Sequence, residues 1–292
     1  MLLAVPNVSE GRDEAVVASL GDAFSDGVTL LDAHNDPDHN RSVFTLAGRP
    51  GALAGALEKG ARATVEAIDM RHHHGVHPHV GALDVCPVVW LDADDREAAT
   101  HEALAVADRI AELGVPVFLY GDLATGPGRR ERSYFRHGGP SELYLRMASG
   151  ELEPDRGPPA PHDTAGATLV TARPPLAAFN IELDTSNSDV ARSVAAGLRE
   201  GGGGLPGVRA LGLRLSDGRT QVSVNVHDPV RVPLGRVVSE VRRLAGRHGA
   251  AARGAELVGL VPEAALAGYP EDVPIAGFDP DVHLIERRLA AL

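Results

Sequence analysis

VTLLDAHNDPDHNRSVFTLA, residues 28–47, carries two apolar runs around the turn-rich segment NDPDHN. VTLLDAH (28–34) and RSVFTLA (41–47) are rich in β-branched and aromatic residues, and Asn, Asp and Pro between them favour turns. The stretch therefore reads as two strands joined by a turn. Upstream, LLAVPNV (2–8) reads as a short strand and DEAVVASLGDAF (13–24) as a helix. Downstream, Leu53, Ala56, Leu57, Ala61, Val65 and Ile68 recur at helical spacing within 50–68, and ALDVCPVVW (82–90) reads as a strand. The order is β-α-β-β-α-β, the split βαβ or ferredoxin-like unit. A helix at about 95–113 and the strand VPVFLY (115–120) extend it.

From 121 to 166 the patterning weakens into segments rich in Gly, Pro and charge, with a helix expected only at 141–148. This reads as a domain boundary with a long connection, of the kind that often lies over a binding site. The second half then repeats the first in outline. Strand 177–184, helix 188–199, strands 208–215 and 220–226 around the turn SDG, helix 232–247 and strand 256–261 give a second β-α-β-β-α-β. The expectation is an α+β chain of two ferredoxin-like subdomains, 1–166 and 167–292, side by side with a ligand cleft between them.

Composition bounds the function. The chain has 292 residues, long enough for two cores. A net charge of -12 argues against general binding to nucleic acid or anionic membranes, so an anionic ligand needs a local basic pocket. The single cysteine, Cys86, permits no internal disulfide and suits a reducing, cytoplasmic setting. MLLAVPNVSEGR lacks the basic start of a signal peptide, and no apolar run is long enough to span a bilayer.

HHHGVHPHVG (72–81) is the densest chemical feature. Clustered histidines can hold zinc, but Gly75 and Pro78 disfavour the helix that would align His73 with His77, and no carboxylate stands among them. No metal is expected. His72 and His74 read as solvated loop residues. His77 differs, because Pro78 fixes the backbone after it and an imidazole near pKa 6.5 can take and return a proton. In the apolar strand that follows, alternation sets Ala82, Asp84 and Cys86 on one face, and a carboxylate there needs a partner or a polar cavity. Asp84 could orient His77, or it could be a structural carboxylate capping a nearby loop. Cys86 reads as a buried small residue. Asn7, Asp32, His34, Asn180 and Asn225 interrupt or end apolar strands and read as ligand-contacting groups, although each could be a satisfied structural polar residue.

VPNVSEGR (5–12), NDPDHNRSVFTLAG (35–48), IDMRHHHGVHPHVGALDVCP (68–87), ELGVPVFLYG (112–121), AFNIEL (178–183), QVSVNV (221–226) and ELVGLVP (256–262) occur in this order. Together they resemble the formiminotransferase part of formiminotransferase-cyclodeaminase and the stand-alone glutamate formiminotransferases, with HPxxGALDVCP the specific element. The resemblance implies two ferredoxin-like subdomains and transfer of the formimino group from N-formimino-L-glutamate to N5 of tetrahydrofolate in histidine degradation. Tetrahydrofolate would be the co-substrate, and glutamate and 5-formimidoyltetrahydrofolate the products. The resemblance also implies His77 as general acid and base, a folate-contacting connection including Gly157, Pro158, Gly166, Ala167 and Thr168, and a homodimer.

Such a reaction asks for cationic groups facing carboxylates, for which Arg41, Arg71 and Arg173 are candidates, with His79 beside them. Val76 and His79 stand where the family usually has glutamate and arginine, and the segment GPPAPHDTAG (157–166) lacks the family's aromatic residue. The alternatives are a non-catalytic homologue that binds a folate-like ligand and a diverged folate-dependent transferase with another donor.

Overall fold

The computed structural model describes residues 1–292, which form two compact units, Met1–Arg173 and Pro174–Leu292. The first is organised by the 28–47 hairpin, observed as β3 (Thr29–Asp36) and β4 (Arg41–Gly48) once the pieces before it are in place. Those are β1 (Leu2–Ala4), β2 (Asn7–Val8) and helix α1 (Glu14–Phe24). Asp36 closes the hairpin, its Oδ1 accepting from the N–H groups of Asp38 at 2.8 Å and His39 at 2.9 Å. Asn40 completes the turn at φ 48°, in the left-handed region that asparagine tolerates better than most residues.

The strand expected at 2–8 is divided by Val5 and Pro6, since proline offers no N–H to a ladder. Both pieces lie between β4 and β5 (Leu83–Trp90). Helix α2 (Leu53–Ala67) has no cap of its own, and Glu102 of α3 (Arg96–Glu112) supplies one. Its carboxylate accepts from Gly51 N–H at 2.7 Å and Ala54 N–H at 2.6 Å. Beyond α3 come β6 (Val117–Leu119), the short helices α4 (Arg132–Arg136) and α5 (Gly139–Ala148), and β7 (Thr168–Arg173).

The sheet order is β3-β4-(β1, β2)-β5-β7-β6, antiparallel as far as β5 and parallel thereafter. Strand β7 was not expected. It inserts between β5 and β6, with Val85 opposite Leu169, so the first unit runs to Arg173 rather than to 166. Phe24, Phe44, Leu57, Val88 and Trp90 pack between the sheet and helices α1–α3. On the opposite face Val85, Phe118 and Leu169 pack under Phe135 of α4 and Leu143 of α5.

The second unit contains β8 (Ala177–Leu183), α6 (Ser188–Leu198), β9 (Val208–Arg214), β10 (Thr220–Val226), α7 (Leu234–Gly246) and β11 (Ala252–Leu257). Two short helices, α8 (Pro280–His283) and α9 (Ile285–Ala290), follow. The antiparallel order is β11-β8-β10-β9. Phe179, Ile181, Val222 and Val224 pack with Val194 of α6 and Val237 of α7. Alternation therefore sends Asn180, Ser223 and Asn225 to the other face. The last strand lies earlier than the expected 256–261, because Gly259 at φ 75° ends it despite the apolar run continuing through Val261. No helix in the chain is long and apolar enough to cross a membrane.

Helices α1 and α2 approach closely at Gly60, where a Cβ would overlap the ring of the fully buried Phe24. Alanine gains up to about 1 kcal/mol in helix propensity over glycine, whereas overpacking costs about 1–3 kcal/mol. Gly60→Ala is therefore expected to lower the chemical denaturation midpoint. A raised midpoint would mean that the helices separate without loss.

Candidate active site

The histidine segment is fastened at both ends. Asn40 accepts from Gly11 N–H at 3.0 Å through Oδ1, and its Nδ2 donates to the His74 carbonyl at 3.2 Å. The same nitrogen lies 3.3 Å from His73 Nδ1, and Val76 N–H donates to the Asp38 carbonyl at 3.3 Å. A Cβ at Gly75 would run into the His39 carbonyl, so the loop lies directly on the β3–β4 turn. Its other end meets the returning connection. Ala82 N–H donates to Ala165 O at 2.8 Å, Ala167 N–H donates to Val80 O at 3.2 Å, and Ser9 Oγ donates to Gly81 O at 2.8 Å. A Cβ at Gly81 would strike the carbonyls of Ala165 and Ala167.

Asp84 follows this junction. The register shifts from Val8 opposite Leu83 to Asn7 opposite Val85, leaving Asp84 as the extra residue of a bulge. Leu83 and Cys86 both stay in the helix-side core, while Asp84 turns to the side of Asn7 and Arg41. The expected grouping of Asp84 with Ala82 and Cys86 fails there, because strict alternation does not survive a bulge.

Asp84 is fully buried. Its Oδ2 accepts from Arg41 Nη1 at 2.7 Å and from Arg136 Nη2, and its Oδ1 accepts from Val80 N–H at 2.9 Å. Arg41 also donates through Nη2 to Asn7 Oδ1 at 2.8 Å, and Asn7 Nδ2 donates to the Val5 carbonyl at 2.7 Å. Burial alone would raise the Asp84 pKa. The Arg136 and Arg41 charges and the hydrogen bonds outweigh it and hold the carboxyl at about 2. Burial lowers the pKa of Arg41 and lowers that of Arg136 to about 10, so both remain cationic at neutral pH.

His77 stands beside this network as a half-buried ring whose Nδ1 is enclosed without a hydrogen-bond partner. Its ring centroid is 5.7 Å from that of His39. Burial, then the charges of Arg41 and Arg136, then His39 and Arg132, hold its pKa well below the usual 6.5. His77 is therefore neutral and able to accept a proton at neutral pH. Asp84 makes no hydrogen bond to it, so the suggested pairing of carboxylate and imidazole is not formed. Asp84 orders the arginines that act on His77.

His79, edge-on to His73 with centroids 4.6 Å apart, is lowered to about 4. Burial is the main cause, and the nearby Asp84 only partly opposes it. His79 thus supplies no positive charge at neutral pH.

Asn7, Arg41, His77, His79 and Asp84 converge, and Gly166, Ala167 and Thr168 adjoin them through the connection. Asp32, half-buried on β3, lies opposite Thr45 on the adjacent strand. Gly157, at φ 83°, lies instead against Val115 and Ala111, with Pro158 next in the chain. Arg71 is exposed and paired with Asp69 at 2.6 Å, away from the cluster. Arg173 ends β7, with burial lowering its pKa to about 10. In the second unit Asn180 is buried and donates to Glu256 Oε2 at 3.3 Å, and Asn225 pairs in register with Ala178 and Arg209. Cys86 is buried, its thiol pushed up to about 12. Sequence reasoning missed Arg132 and Arg136. Their four-residue spacing around Phe135 was the available signal, in a segment whose patterning was otherwise weak.

Two family models match the chain. The N-terminal subdomain of the formiminotransferase domain matches residues 1–173, and the formiminotransferase domain matches residues 178–269. A glutamate formimidoyltransferase of Streptococcus pyogenes serotype M1 is 38% identical over 290 residues, covering 98% of this chain and 97% of that protein. One of Thermoplasma acidophilum is 37% identical, covering 98% and 96% respectively. The formimidoyltransferase-cyclodeaminase of Sus scrofa is 39% identical over 272 residues, covering 90% of this chain and 50% of the longer pig protein. The fold and these matches define a one-carbon transferase. The chain belongs to the formiminotransferase family.

Two predictions follow from the network. Asp84→Asn leaves two buried guanidinium groups without their anion and should cost about 3–5 kcal/mol in denaturant unfolding. A loss below about 1 kcal/mol would mean that the arginines find other partners. Acid should act in two stages. The depressed pKa values of His77 and His79 contribute stability above pH 6.5 that is lost as pH falls below it, for His79 down to about 4, and the Asp84 contribution is lost between pH 3.8 and about 2. Thermal midpoints should decline from pH 6.5 to 4, less steeply in His79→Gln. An equal slope in that variant would exclude His79 from the effect.

Proposed function

We propose that the protein transfers the formimino group of N-formimino-L-glutamate to N5 of tetrahydrofolate, with His77 as the proton carrier. The observation carrying this reading is the half-buried His77 ring 5.7 Å from that of the buried His39, its Nδ1 enclosed without a partner, where burial and the charges of Arg41 and Arg136 lower its pKa. Family membership adds the substrate class, since the nearest-length relatives above are glutamate formimidoyltransferases. N5 of the folate attacks the formimino carbon, forming a new N–C bond, and must lose its proton. The bond from that carbon to the glutamate nitrogen then breaks, and the departing nitrogen must gain a proton. One neutral histidine can accept the first proton and return it in the second step, leaving the enzyme unchanged.

Tetrahydrofolate is a consumed co-substrate in this scheme. The connection at Gly166–Thr168 supports a folate contact, because it lies against the histidine loop. The products are 5-formimidoyltetrahydrofolate and glutamate, a step suited to histidine degradation. We also infer that both units belong to the ferredoxin-like class. In each, the four strands of the β-α-β-β-α-β order are arranged with the first between the third and fourth, and β6 and β7 extend the first unit.

Replacing His77 with alanine should reduce turnover about 10²- to 10⁴-fold while tetrahydrofolate binding persists. The product would be followed after acid conversion to its methenyl form. In the wild-type enzyme the acid limb of kcat/KM should lie below pH 6.5, as the lowered His77 pKa of the free enzyme requires. Turnover that survives His77→Ala, or an acid limb at or above 6.5, contradicts this role.

A further inference from the structure

Of the three guanidinium groups near His77, Arg132 alone makes no side-chain hydrogen bond or ion pair, although Nε of Arg136 is also without a partner. It lies four residues before Arg136 on α4, so the two side chains leave the same face of that helix. Arg136 donates to Asp84, and Arg41 donates to both Asp84 and Asn7. Arg132 is half-buried and makes no hydrogen bond or ion pair. Its charge nevertheless acts on Arg41, Arg136, Arg173 and His77, which places it among them. Arg41 and Arg136 thus stand on one buried carboxylate whose two oxygens each already accept a hydrogen bond, and Arg132 adds a third guanidinium close to them. A fixed excess of positive charge in a partly desolvated place favours an anion, and a planar guanidinium fork matches a carboxylate.

We propose that Arg132 is a specificity-determining residue that receives a carboxylate of the amino-acid donor and selects donors carrying it. The assignment rests on the transfer reading above and deepens it. It gives Arg41 and Arg136 a structural duty toward Asp84 and leaves Arg132 to meet the ligand. Its closeness to His77 would bring the donor's acidic end near the proton carrier. A carboxylate seated on Arg132 would also offset the charge that depresses the imidazole.

The test compares wild type, Arg132→Gln and Arg132→Lys with N-formimino-L-glutamate and its two monoamides, which replace either the α- or the γ-carboxylate. Loss of a charge-assisted contact should raise KM for the dicarboxylate about 10- to 100-fold, while KM for tetrahydrofolate stays within about twofold. Wild type should discriminate against one monoamide, Arg132→Gln should lose that discrimination, and Arg132→Lys should recover part of it. The acid limb of kcat/KM should move to higher pH in Arg132→Gln, because one of the charges that keeps His77 neutral in the free enzyme is gone. An unchanged donor KM overturns the proposal, as does retained discrimination between the amides. A rise confined to the tetrahydrofolate KM would assign the residue to the folate's glutamyl tail and equally overturn it.

Should wild type turn over none of these donors, the transfer reading fails by itself, and calorimetric titration with L-glutamate decides the carboxylate assignment. Binding to wild type that is lost in Arg132→Gln sustains the assignment. Equal binding, or none to wild type, overturns it.

Discussion

Everything at the site depends on one buried negative charge. Asp84 is shielded from water, which by itself would favour the neutral acid, yet two arginines and a backbone N–H keep it ionised. Replacing such a network with apolar residues is often neutral or stabilising, so its presence is better understood as positional than as a source of net stability. Arg41 comes from β4, Arg136 from α4, and Val80 from the end of the histidine loop. One carboxylate therefore fixes three separate pieces of chain in relation to each other.

The consequence for His77 is electrostatic. A histidine near a carboxylate gains basicity and tends to be protonated, whereas one near unneutralised cations is kept neutral. Asp84 bonds the arginines and Val80 N–H, not the imidazole, and the charges that lower the His77 pKa after burial are those of Arg41 and Arg136. The arrangement differs from a triad, in which the carboxylate bonds the imidazole and stabilises its charged form. A neutral ring suits a group that must first accept a proton from a weakly acidic nitrogen.

Much of the fold was legible because its signals are local. The β3–β4 hairpin, the apolar stripe of α2 and the second β-α-β-β-α-β each depend on spacing within a few residues. Features requiring distant partners were not. TLVTAR at 168–173 carries the strand formers Thr168, Val170 and Thr171, but its insertion between β5 and β6 depends on partners far away in the chain and is not written in the segment itself. His77 was legible through its Pro78 neighbour and the family resemblance. The duty of Asp84 was not, since its partners lie 43 and 52 residues away and the bulge breaks the alternation used to orient it. The single glutamate Glu102 that caps α2 from α3 was hidden for the same reason.

The central claim is that burial, together with the charges of Arg41 and Arg136 that Asp84 positions, holds His77 neutral. A direct measurement is the ¹⁵N NMR titration of the histidine side chains in ¹⁵N-histidine-labelled protein, with His77→Gln used to identify the resonance. The account predicts a His77 titration midpoint well below 6.5, with both ring nitrogens reporting the neutral form at pH 7. A midpoint at or above 6.5 would contradict it, because neither burial nor the arginines would then be controlling the imidazole.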